Sequence, residues 1–599
     1  MDNTGRISMY LEQISGPDDI KQLKPEELKV LAEETRNALI SRLSRIGGHA
    51  GSNLGVVELT VALHYVFHSP LDKIVWDVSH QCYPHKILTG RKRAYLDPEH
   101  FRDVTGFTNP AESQHDHFII GHTATSIPLA LGLARDRDLA GEQGNVIAVI
   151  GDGALSGGEA YEGLNTAGEY RGNLIIIVND NDQSVAENHG GLYIMLRRLR
   201  ESDGKAPDNL FRALNLDYRY LSDGHDIPQL IRLFESVRDI DRPTVLHIHT
   251  IKGKGLPYAE ADREEWHSAS PFFIENGAPR NGAPVYDTTV HDSLAALMAE
   301  NPRAVVLTAA TPRALGFVGD DRAFWAARRQ FIDVGIAEEC AMTMACGIAK
   351  AGGTPVFGVY APFLQRAYDQ LSHDLCLNNQ PATILVLLPG AFGMKSNTHL
   401  GLCDIQMITH VPNIVYLCPA TREEYLQMFR YATMQKEHPV AIRVPVRFYS
   451  DGKEDQTDYS ILNRAAVVRK GSYAALWAVG SLIPMAVEAA DAFEKDSGER
   501  VTVINPRFLT GLDTELMERM KADHNLVITM EDGELDGGFG QRIASWYGNS
   551  CMKVINLGIS KAFHSDFQAE ALLAENGISV RNIIELLKQH FAEEKRYEE

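Results

Sequence analysis

The sequence predicts an α/β protein built from three doubly wound domains. The chain of 599 residues is too long for a single hydrophobic core. Short apolar runs alternate with helical patterns over most of its length, which is typical of mostly parallel sheets. Two stretches rich in polar residues, one of them also rich in Gly and Pro, interrupt this alternation. Together these observations predict three α/β series joined by two linkers.

The first series predicts a domain over residues 1–275. Its candidate strands are the apolar runs KIVWDV, NVIAVI, NLIIIVN and TVLHIHT. Consecutive strands are separated by enough residues for a helix, so we expect them to be parallel. The stretch ENGAPRNGAPVYD at residues 275–287 then predicts the first linker.

The second and third series predict domains over residues 285–450 and 460–599. The candidate strands of the second are RAVVLTAA, TPVFGVYA, ATILVLLPG, NIVYLCP and HPVAIRVP. The stretch SDGKEDQTDYS at residues 450–460 predicts the second linker. The third series then contributes AALWAVG, RVTVIN and NLVITMED.

Composition and charge exclude several functional classes. The net charge of −21 argues against general binding to nucleic acid or to anionic membranes, so an anionic ligand needs a local site. The seven cysteines are scattered and form neither a disulfide framework nor a CxxC zinc pattern, which favours a reducing compartment. No signal-peptide pattern opens the chain, and no window reaches the ~20 apolar residues of a membrane helix. We therefore expect a cytoplasmic protein without nucleic-acid or membrane partners.

Two polar motifs follow neighbouring predicted strands. Asp152 lies in a GDG turn after NVIAVI, and Asn181 ends the NDN segment after NLIIIVN. The carboxyl ends of parallel strands share one edge of a sheet, where open α/β sheets bind ligands. Two oxygen donors there suit Mg²⁺, and Gly153 would let a diphosphate approach the backbone. A GDG turn alone would indicate only a tight turn; its combination with NDN favours a metal and diphosphate site.

This arrangement resembles the cofactor motif of thiamine-diphosphate enzymes, and further blocks resemble the 1-deoxy-D-xylulose-5-phosphate synthases, relatives of transketolase. The blocks occur in that family's order and lie at residues 47–91, GHTATSI (121–127), VGIAEE (334–339), YAPFLQRAYDQ (360–370) and THLG (398–401). The resemblance implies three domains of transketolase type, a homodimer, thiamine diphosphate and Mg²⁺ as cofactors, and small keto-acid and aldehyde substrates.

The resemblance also implies site residues. For catalysis these are Glu338, His49, His399, His267 and Tyr360. The implied cofactor contacts are His80, Gly121, His122, Thr123, Gly153, Ala154, Asn181, Glu338 and Phe363. The implied metal ligands are Asp152, Asn181 and Gln183. Most of the chain's 22 histidines must be surface or structural residues, so position within a block is what selects these few.

Chemistry also favours Glu338. A carboxylate that hydrogen-bonds the aminopyrimidine ring lets the cofactor's own imino group act as a base. Glu338 precedes the largely apolar helical run AMTMACGIA, where a carboxylate would be costly to bury without a partner. The alternative is a glutamate placed at a helix N-terminus to interact with the helix dipole. For Phe363, the alternative to packing on the pyrimidine is an ordinary core residue.

The sequence departs from the family where the acceptor phosphate would bind. Leu388 and Val446 stand at two arginine positions of that family, and Lys395 replaces an aspartate. Elsewhere, Glu339 and Cys340 stand where the family has Gln-His, and Leu256 stands where it has a tyrosine. Much of the family's insert between the NDN segment and the IKGKG segment is absent. Neither Leu nor Val can hold a phosphate, and charged hydrogen bonds contribute roughly 1.5 to 3 kcal/mol each. Lys395 or Arg447 is a candidate replacement.

Three interpretations stay open from the sequence. The first is the synthase activity of the family, with the phosphate held by Lys395 and Arg447. The second is a synthase-like or transketolase-like carboligase that acts on a different, unphosphorylated or differently charged, aldehyde or on another ketol donor. The third is a catalytically reduced regulatory protein. Five retained residues argue against it, namely Asp152, Asn181, Glu338, His49 and His399.

Overall fold

A computed structural model describes residues 10–282, 287–450 and 452–598. The chain forms two compact units. Unit 1 comprises Met1–Val285 with Gly335–Ala337, and unit 2 comprises Tyr286–Val334 with Glu338–Glu599. Residues 283–286 of the first predicted linker and Asp451 of the second lie outside the described residues. The domain boundaries at 275, 285, 450 and 460 stay predictions.

In unit 1, the described residues form a five-stranded, fully parallel sheet with strand order β1-β2-β3-β5-β4. The strands are β1 (Lys73–Trp76), β2 (Val146–Gly151), β3 (Leu174–Asp180), β4 (Asp217–Leu221) and β5 (Pro243–His249). The α-helices are α1 (Pro17–Ile20), α2 (Pro25–Ile46), α3 (Ala50–Leu54), α4 (Val57–Val66), α5 (Tyr83–Lys86), α6 (Arg93–Leu96), α7 (Ser126–Ala140), α8 (Gly158–Ala167), α9 (Gly191–Glu201), α10 (Leu210–Ala213), α11 (Ile227–Glu235) and α12 (Pro257–Ala261).

Helices cover both faces of this sheet, because alternate residues of each strand enter different hydrophobic cores. Ile147 and Val149 of β2 pack into the core that also holds residues of α2, α4 and α11. Ala148 and Ile150 pack into the core with residues of α7, α8 and α9. Strands buried on both faces appear as continuous apolar runs, which is why β1, β2, β3 and β5 are readily predicted.

Unit 2 contains two sheets within residues 287–450 and 452–598. Six parallel strands have the order β10-β11-β9-β8-β6-β7, and five have the order β12-β14-β13-β15-β16. The strands are β6 (Ala304–Thr308), β7 (Phe331–Asp333), β8 (Thr354–Tyr360), β9 (Thr383–Leu387), β10 (Val415–Leu417), β11 (Val440–Arg443), β12 (Ala466–Arg469), β13 (Tyr473–Ala478), β14 (Thr502–Asn505), β15 (His524–Glu534) and β16 (Lys553–Ile559). The α-helices are α13 (Thr289–Glu300), α14 (Gly319–Ala327), α15 (Glu338–Lys350), α16 (Ala361–Leu364), α17 (Asp404–Thr409), α18 (Arg422–Met434), α19 (Ile483–Ser497), α20 (Thr514–Met520), α21 (Phe539–Tyr547), α22 (Ala569–Glu575) and α23 (Val580–Glu598).

One hydrophobic core joins the two sheets of unit 2. Phe357 and Ile384 from the six-stranded sheet lie in the same core as Trp477 and Val527 from the five-stranded sheet. Two series that are separate in the sequence therefore form one compact unit. The α/β fold class is confirmed, and the pairing of β12 with β14 is antiparallel.

Four strands of the described residues were not predicted from the sequence, namely β4, β7, β12 and β16.

In the described residues, no helix is both long and apolar enough to cross a membrane.

Candidate active site

Asp152 and Asn181 lie at the same edge of the unit 1 sheet. Each follows the last residue of its strand, β2 or β3, and these strands pair in parallel with Gly151 opposite Asn179. The backbone N–H of Asp152 donates to the carbonyl oxygen of Asn179 at 3.1 Å. The register therefore brings together the two residues that the spacing of GDG and NDN predicts to be neighbours.

The Asp152 carboxylate is buried, with 1% of the residue exposed. One of its oxygens accepts hydrogen bonds from the Asn188 amide at 2.7 Å and the backbone N–H of Gln183 at 3.1 Å. Burial, followed by the charge of nearby Asp180, raises the pKa of Asp152 to about 8. A buried carboxylate with an acidic neighbour favours a bound cation, because a positive charge would stabilise its ionised form.

Asn181 supplies the second oxygen. It is 8% exposed, and its side-chain oxygen is buried without a hydrogen-bond partner among the described residues. Those residues include no cluster of three or more His, Cys, Asp or Glu side chains suited to a metal. A site here therefore depends on one carboxylate and on amide or carbonyl oxygens, a donor set that fits Mg²⁺ with additional oxygens from phosphate or water. The predicted role of Gln183 as a ligand is untested.

Gly153 and Ala154 are both buried and precede α8. They open a short 3-10 turn, Gly153–Ser156, and α8 starts only at Gly158. A Cβ atom on Gly153 would lie 2.7 Å from the hydroxyl oxygen of Ser184. The lack of a side chain at residue 153 thus allows the loop after β3 to pack closely against this turn.

The segment Gly121–Thr123 is held at the carboxyl end of β1. Asp77, just after that strand, accepts hydrogen bonds from the backbone N–H groups of Ala124 and Ser126, each at 2.9 Å. Gly121 is buried, whereas His122 and Thr123 are half-buried. The predicted cofactor-contact segment is therefore at the same edge of the sheet as Asp152.

Three predicted histidines cluster in unit 1. The ring centroids of His49 and His80 are 5.4 Å apart, those of His80 and His267 are 5.4 Å apart, and those of His49 and His267 are 5.9 Å apart. Phe107 adds an edge contact to His49 at 5.6 Å. The first family block, which contains His49 and His80, and the distant His267 thus form one group of imidazoles.

Lys252 connects this histidine cluster to the loop after β3. Its ammonium group lies 3.1 Å from the Nδ1 atom of His267 and donates to the carbonyl oxygen of Ser184 at 2.5 Å. Burial and the positive charge of Lys252 lower the pKa of His49 to about 4. Burial in turn lowers the pKa of Lys252 to about 7. His49 is therefore a neutral imidazole at pH 7, able to accept or donate a proton.

Sequence reasoning missed several side chains that support this site. Asn53 donates to the carbonyl oxygens of His49 at 2.7 Å and His80 at 2.6 Å, so its amide group holds two predicted residues. Asn188 and Lys252 were also missed as site residues. Asn53 lies in the first family block, and its polar side chain in an otherwise apolar segment was the available signal.

In unit 2, Glu338 is the first residue of α15 and is 3% exposed. One of its carboxylate oxygens is buried without a hydrogen-bond partner among the described residues. Burial raises the pKa of Glu338 to about 7, although the charge of Arg366 acts in the opposite direction. A buried and incompletely satisfied carboxyl group differs from an exposed glutamate that merely interacts with a helix dipole, and it fits a hydrogen bond to a ligand.

Tyr360, Phe363 and His399 form a second aromatic group in unit 2. The ring centroid of Phe363 is 5.6 Å from that of Tyr360 and 5.5 Å from that of His399. The Nδ1 atom of His399 lies 2.7 Å from the hydroxyl oxygen of Thr398, a contact that orients the imidazole. Burial raises the pKa of Tyr360 to about 12, so its phenol stays protonated at neutral pH.

The guanidinium group of Arg443, the arginine kept from the family pattern, is paired with two buried carboxylates. Its Nε atom lies 2.7 Å from Asp404, its Nη1 atom lies 2.7 Å from Asp532, and the residue is 4% exposed. By contrast, Val446 is 39% exposed, and both Lys395 and Arg447 are exposed. The arginine that matches the family pattern thus has its donors occupied by protein groups.

Three sequence families match successive parts of the chain. 1-Deoxy-D-xylulose-5-phosphate synthase matches residues 11–206 and 202–250, the transketolase pyrimidine-binding domain matches 283–450, and the transketolase C-terminal domain matches 463–583. These matches define a protein of the transketolase type.

Full-length relatives define the family more closely. A 1-deoxy-D-xylulose-5-phosphate synthase of Carboxydothermus hydrogenoformans is 39% identical over 95% of this chain and 97% of its own. The enzyme of the same name from Symbiobacterium thermophilum is 38% identical over 96% of this chain and 94% of its own. The chain belongs to the 1-deoxy-D-xylulose-5-phosphate synthase family.

Among solved structures, a transketolase from Campylobacter jejuni is 16% identical, covers 95% of this chain and 100% of its own, and has a TM-score of 0.42.

Proposed function

We propose that this protein is a thiamine-diphosphate-dependent transferase that condenses pyruvate with glyceraldehyde 3-phosphate, releasing CO₂ and forming 1-deoxy-D-xylulose 5-phosphate. The observation that carries this proposal is the buried Asp152 carboxylate beside the unpartnered Asn181 oxygen at the sheet edge. Full-length similarity to enzymes named for this product supports the reaction.

The donor set after β2 and β3 fits a divalent metal that would bind a diphosphate. Asp152 and Asn181 would hold Mg²⁺, with Gln183 as a further candidate ligand. The backbone at Gly153 and Ala154, together with the Gly121–Thr123 segment, would contact the diphosphate. When bound, thiamine diphosphate stabilises the negative charge that remains after a 2-keto acid loses CO₂.

The proton-handling groups follow from burial. Glu338 would hydrogen-bond a ring nitrogen of the aminopyrimidine through a carboxyl group whose pKa lies near neutrality. The neutral imidazole of His49, and that of His399 oriented by Thr398, would exchange protons with the carbonyl and hydroxyl groups of the substrates. His80 and His267 pack beside His49 and would fix the orientation of its ring.

Product identification tests the proposal directly. The purified protein is incubated with pyruvate, glyceraldehyde 3-phosphate, thiamine diphosphate and Mg²⁺, and the products are analysed by NMR and mass spectrometry. We expect 1-deoxy-D-xylulose 5-phosphate and CO₂ in equal amounts, with no product when thiamine diphosphate or Mg²⁺ is omitted. Product formation that is independent of thiamine diphosphate would refute the proposal.

A second candidate is favoured by the residues at the acceptor-phosphate positions. Leu388 and Val446 offer no donor, and the guanidinium of Arg443 is held by Asp404 and Asp532. This set suits an unphosphorylated or differently charged aldehyde. A panel of acceptor aldehydes, each tested with pyruvate and with hydroxypyruvate, distinguishes the two candidates by which pair gives the highest kcat/KM.

We also propose, from family membership, that the enzyme acts as a homodimer with Mg²⁺ as its metal. Sedimentation equilibrium of the purified protein tests the dimer. A cytoplasmic location stays a prediction.

A further inference from the structure

The residue that follows the candidate metal ligand Asn181 has an unusual backbone conformation. Asp182 has a φ angle of +57°, in the left-handed region that residues with a Cβ atom adopt infrequently. Its backbone N–H donates to a carboxylate oxygen of Asp180 at 3.1 Å. The chain therefore bends at Asp182, directly after Asn181, and contacts of the neighbouring side chains stabilise this conformation.

Arg200 supplies those contacts from the second half of α9. Its Nη1 atom lies 2.8 and 2.7 Å from the two carboxylate oxygens of Asp180. Its Nη2 atom lies 2.7 Å from the carboxylate of Asp182. One guanidinium group thus bridges the residues immediately before and after Asn181. A planar fork with several donors can make this bridge, whereas a single ammonium group cannot reproduce its geometry.

Residues of the sheet hold Asp180, which is one end of this bridge. The buried Asp180 carboxylate lies 2.7 Å from the Nε2 atom of His247 on β5, and the Nδ1 atom of His247 lies 2.8 Å from the hydroxyl oxygen of Tyr218 on β4. The backbone N–H of Thr250 donates to the carbonyl oxygen of Asp180 at 2.9 Å. Asp180 is therefore held by His247 of β5 and, through that ring, by Tyr218 of β4. Arg200 links this group of residues to Asp182.

We propose that Arg200 is a positioning residue that sets the direction of the Asn181 side-chain oxygen toward the metal. The inference rests on the proposed function, because it concerns how the candidate Mg²⁺ site is built. Groups that orient metal ligands typically change metal affinity 10–100-fold when they are removed. If Arg200 only neutralised the buried Asp180 charge, its loss would lower stability without changing the response to the metal.

The experiment measures thiamine diphosphate binding by calorimetry over a range of Mg²⁺ concentrations. In Arg200→Met we expect the Mg²⁺ concentration for half-saturation to rise about 10–100-fold. Arg200→Lys keeps a positive charge near Asp180 but loses the bridge, so most of that increase should remain. Asp182→Gly removes the second arm of the bridge at a position whose positive φ glycine adopts without strain, and it should raise the half-saturating concentration several-fold.

The matched control is Arg198→Met, on the same helix. Arg198 is 59% exposed and pairs with the exposed Asp208, so we expect the Mg²⁺ response of wild type. The double variant Arg200→Met/Asp182→Gly should show less than the product of the two single effects, since both remove the same bridge.

The outcomes separate this inference from the proposed function. Wild-type protein without Mg²⁺-dependent binding of thiamine diphosphate would refute the proposed function and this inference with it. If wild type binds as expected while Arg200→Lys and Asp182→Gly, folded by circular dichroism, keep its half-saturating Mg²⁺ concentration, the inference is wrong and the proposed function stands. A lower melting temperature in Arg200→Met with an unchanged Mg²⁺ response would likewise overturn the positioning role.

Discussion

The sheet edge of unit 1 and the surroundings of Arg443 in unit 2 differ in the groups that they offer a ligand. At the sheet edge, the side-chain oxygen of Asn181 is buried without a hydrogen-bond partner among the described residues, and burial beside Asp180 raises the pKa of Asp152. In unit 2, the guanidinium group of Arg443 is paired with the carboxylates of Asp404 and Asp532. The first region thus offers oxygen atoms to a cation, whereas the guanidinium group of Arg443 in the second is occupied by protein carboxylates.

Under the proposed function, this difference predicts that cofactor binding and acceptor recognition depend on separate residues of the chain. Removing one partner from a buried ion pair costs about 3 to 5 kcal/mol, so Arg443 is required where it is. It also packs closely on Gly390, where a Cβ atom would lie 2.6 Å from the Nη2 atom of Arg443. A new acceptor contact must therefore come from other residues, such as Lys395.

The largest expected effect is at the metal ligands. Asp152→Ala and Asn181→Ala should each abolish Mg²⁺-dependent binding of thiamine diphosphate and leave the fold intact, because both remove oxygen donors at the sheet edge. Calorimetric titration measures the binding, and Asp241→Ala, at an exposed aspartate of unit 1, is the control. Wild-type affinity in either ligand variant would remove that residue from the metal site.

Glu338→Gln should keep cofactor binding but lose at least 10² to 10⁴-fold in turnover, the range for general acid/base groups. The amide cannot drive the aminopyrimidine toward its imino form. Exchange of the cofactor's C2 proton, followed by NMR, measures this step, with the neighbouring Glu339→Gln as control. Wild-type exchange rates in Glu338→Gln would exclude Glu338 from the mechanism.

The same substitution should stabilise the cofactor-free protein at high pH. The folded pKa of Glu338, about 7, lies above its usual value of 4.5, so the ionised form is penalised in the folded state. That penalty is absent below pH 4.5, grows up to pH 7 and is constant above it. At about 1.36 kcal/mol per pKa unit, it reaches about 3 kcal/mol. Urea unfolding at pH 5 and pH 8 checks the trend, and a pH-independent difference would contradict it.

The smallest expected effect concerns the acceptor. The double variant Leu388→Arg/Val446→Arg should raise selectivity for glyceraldehyde 3-phosphate over glyceraldehyde, with ~1.4 kcal/mol of recovered binding for each tenfold gain. The ratio of kcat/KM values measures selectivity. If Lys395 holds the phosphate instead, the double variant gains little and Lys395→Ala sharply raises the acceptor KM.

Sequence patterns predicted the buried strands and the site residues at their ends. The strand β3, for example, is buried throughout and begins with five consecutive apolar residues, and a parallel sheet necessarily brings its strand ends to one edge. The strand β12 was missed because two of its four residues are exposed and it pairs at the edge of its sheet. Short edge strands carry a weak apolar signal.

The features of the site that sequence patterns did not predict depend on tertiary contacts. The pairing of Arg443 with Asp532 joins residues from two different sheets, and the bridge from Arg200 to Asp182 joins a helix to a loop. Neither has a local sequence pattern. Lys252 likewise reaches the loop after β3 from a distant segment. Contacts of this kind depend on how packed elements face one another, which spacing along the chain does not encode.

The most direct test of the contrast between these two regions is the wild-type ratio of kcat/KM for glyceraldehyde 3-phosphate to that for glyceraldehyde, with pyruvate as donor and with thiamine diphosphate and Mg²⁺ present. We expect turnover that requires both cofactors and a ratio below about 10, since the binding energy of two arginine contacts is missing. A ratio above about 10³ that persists in Lys395→Ala would contradict the account, because the phosphate would then be held by groups other than those considered for it.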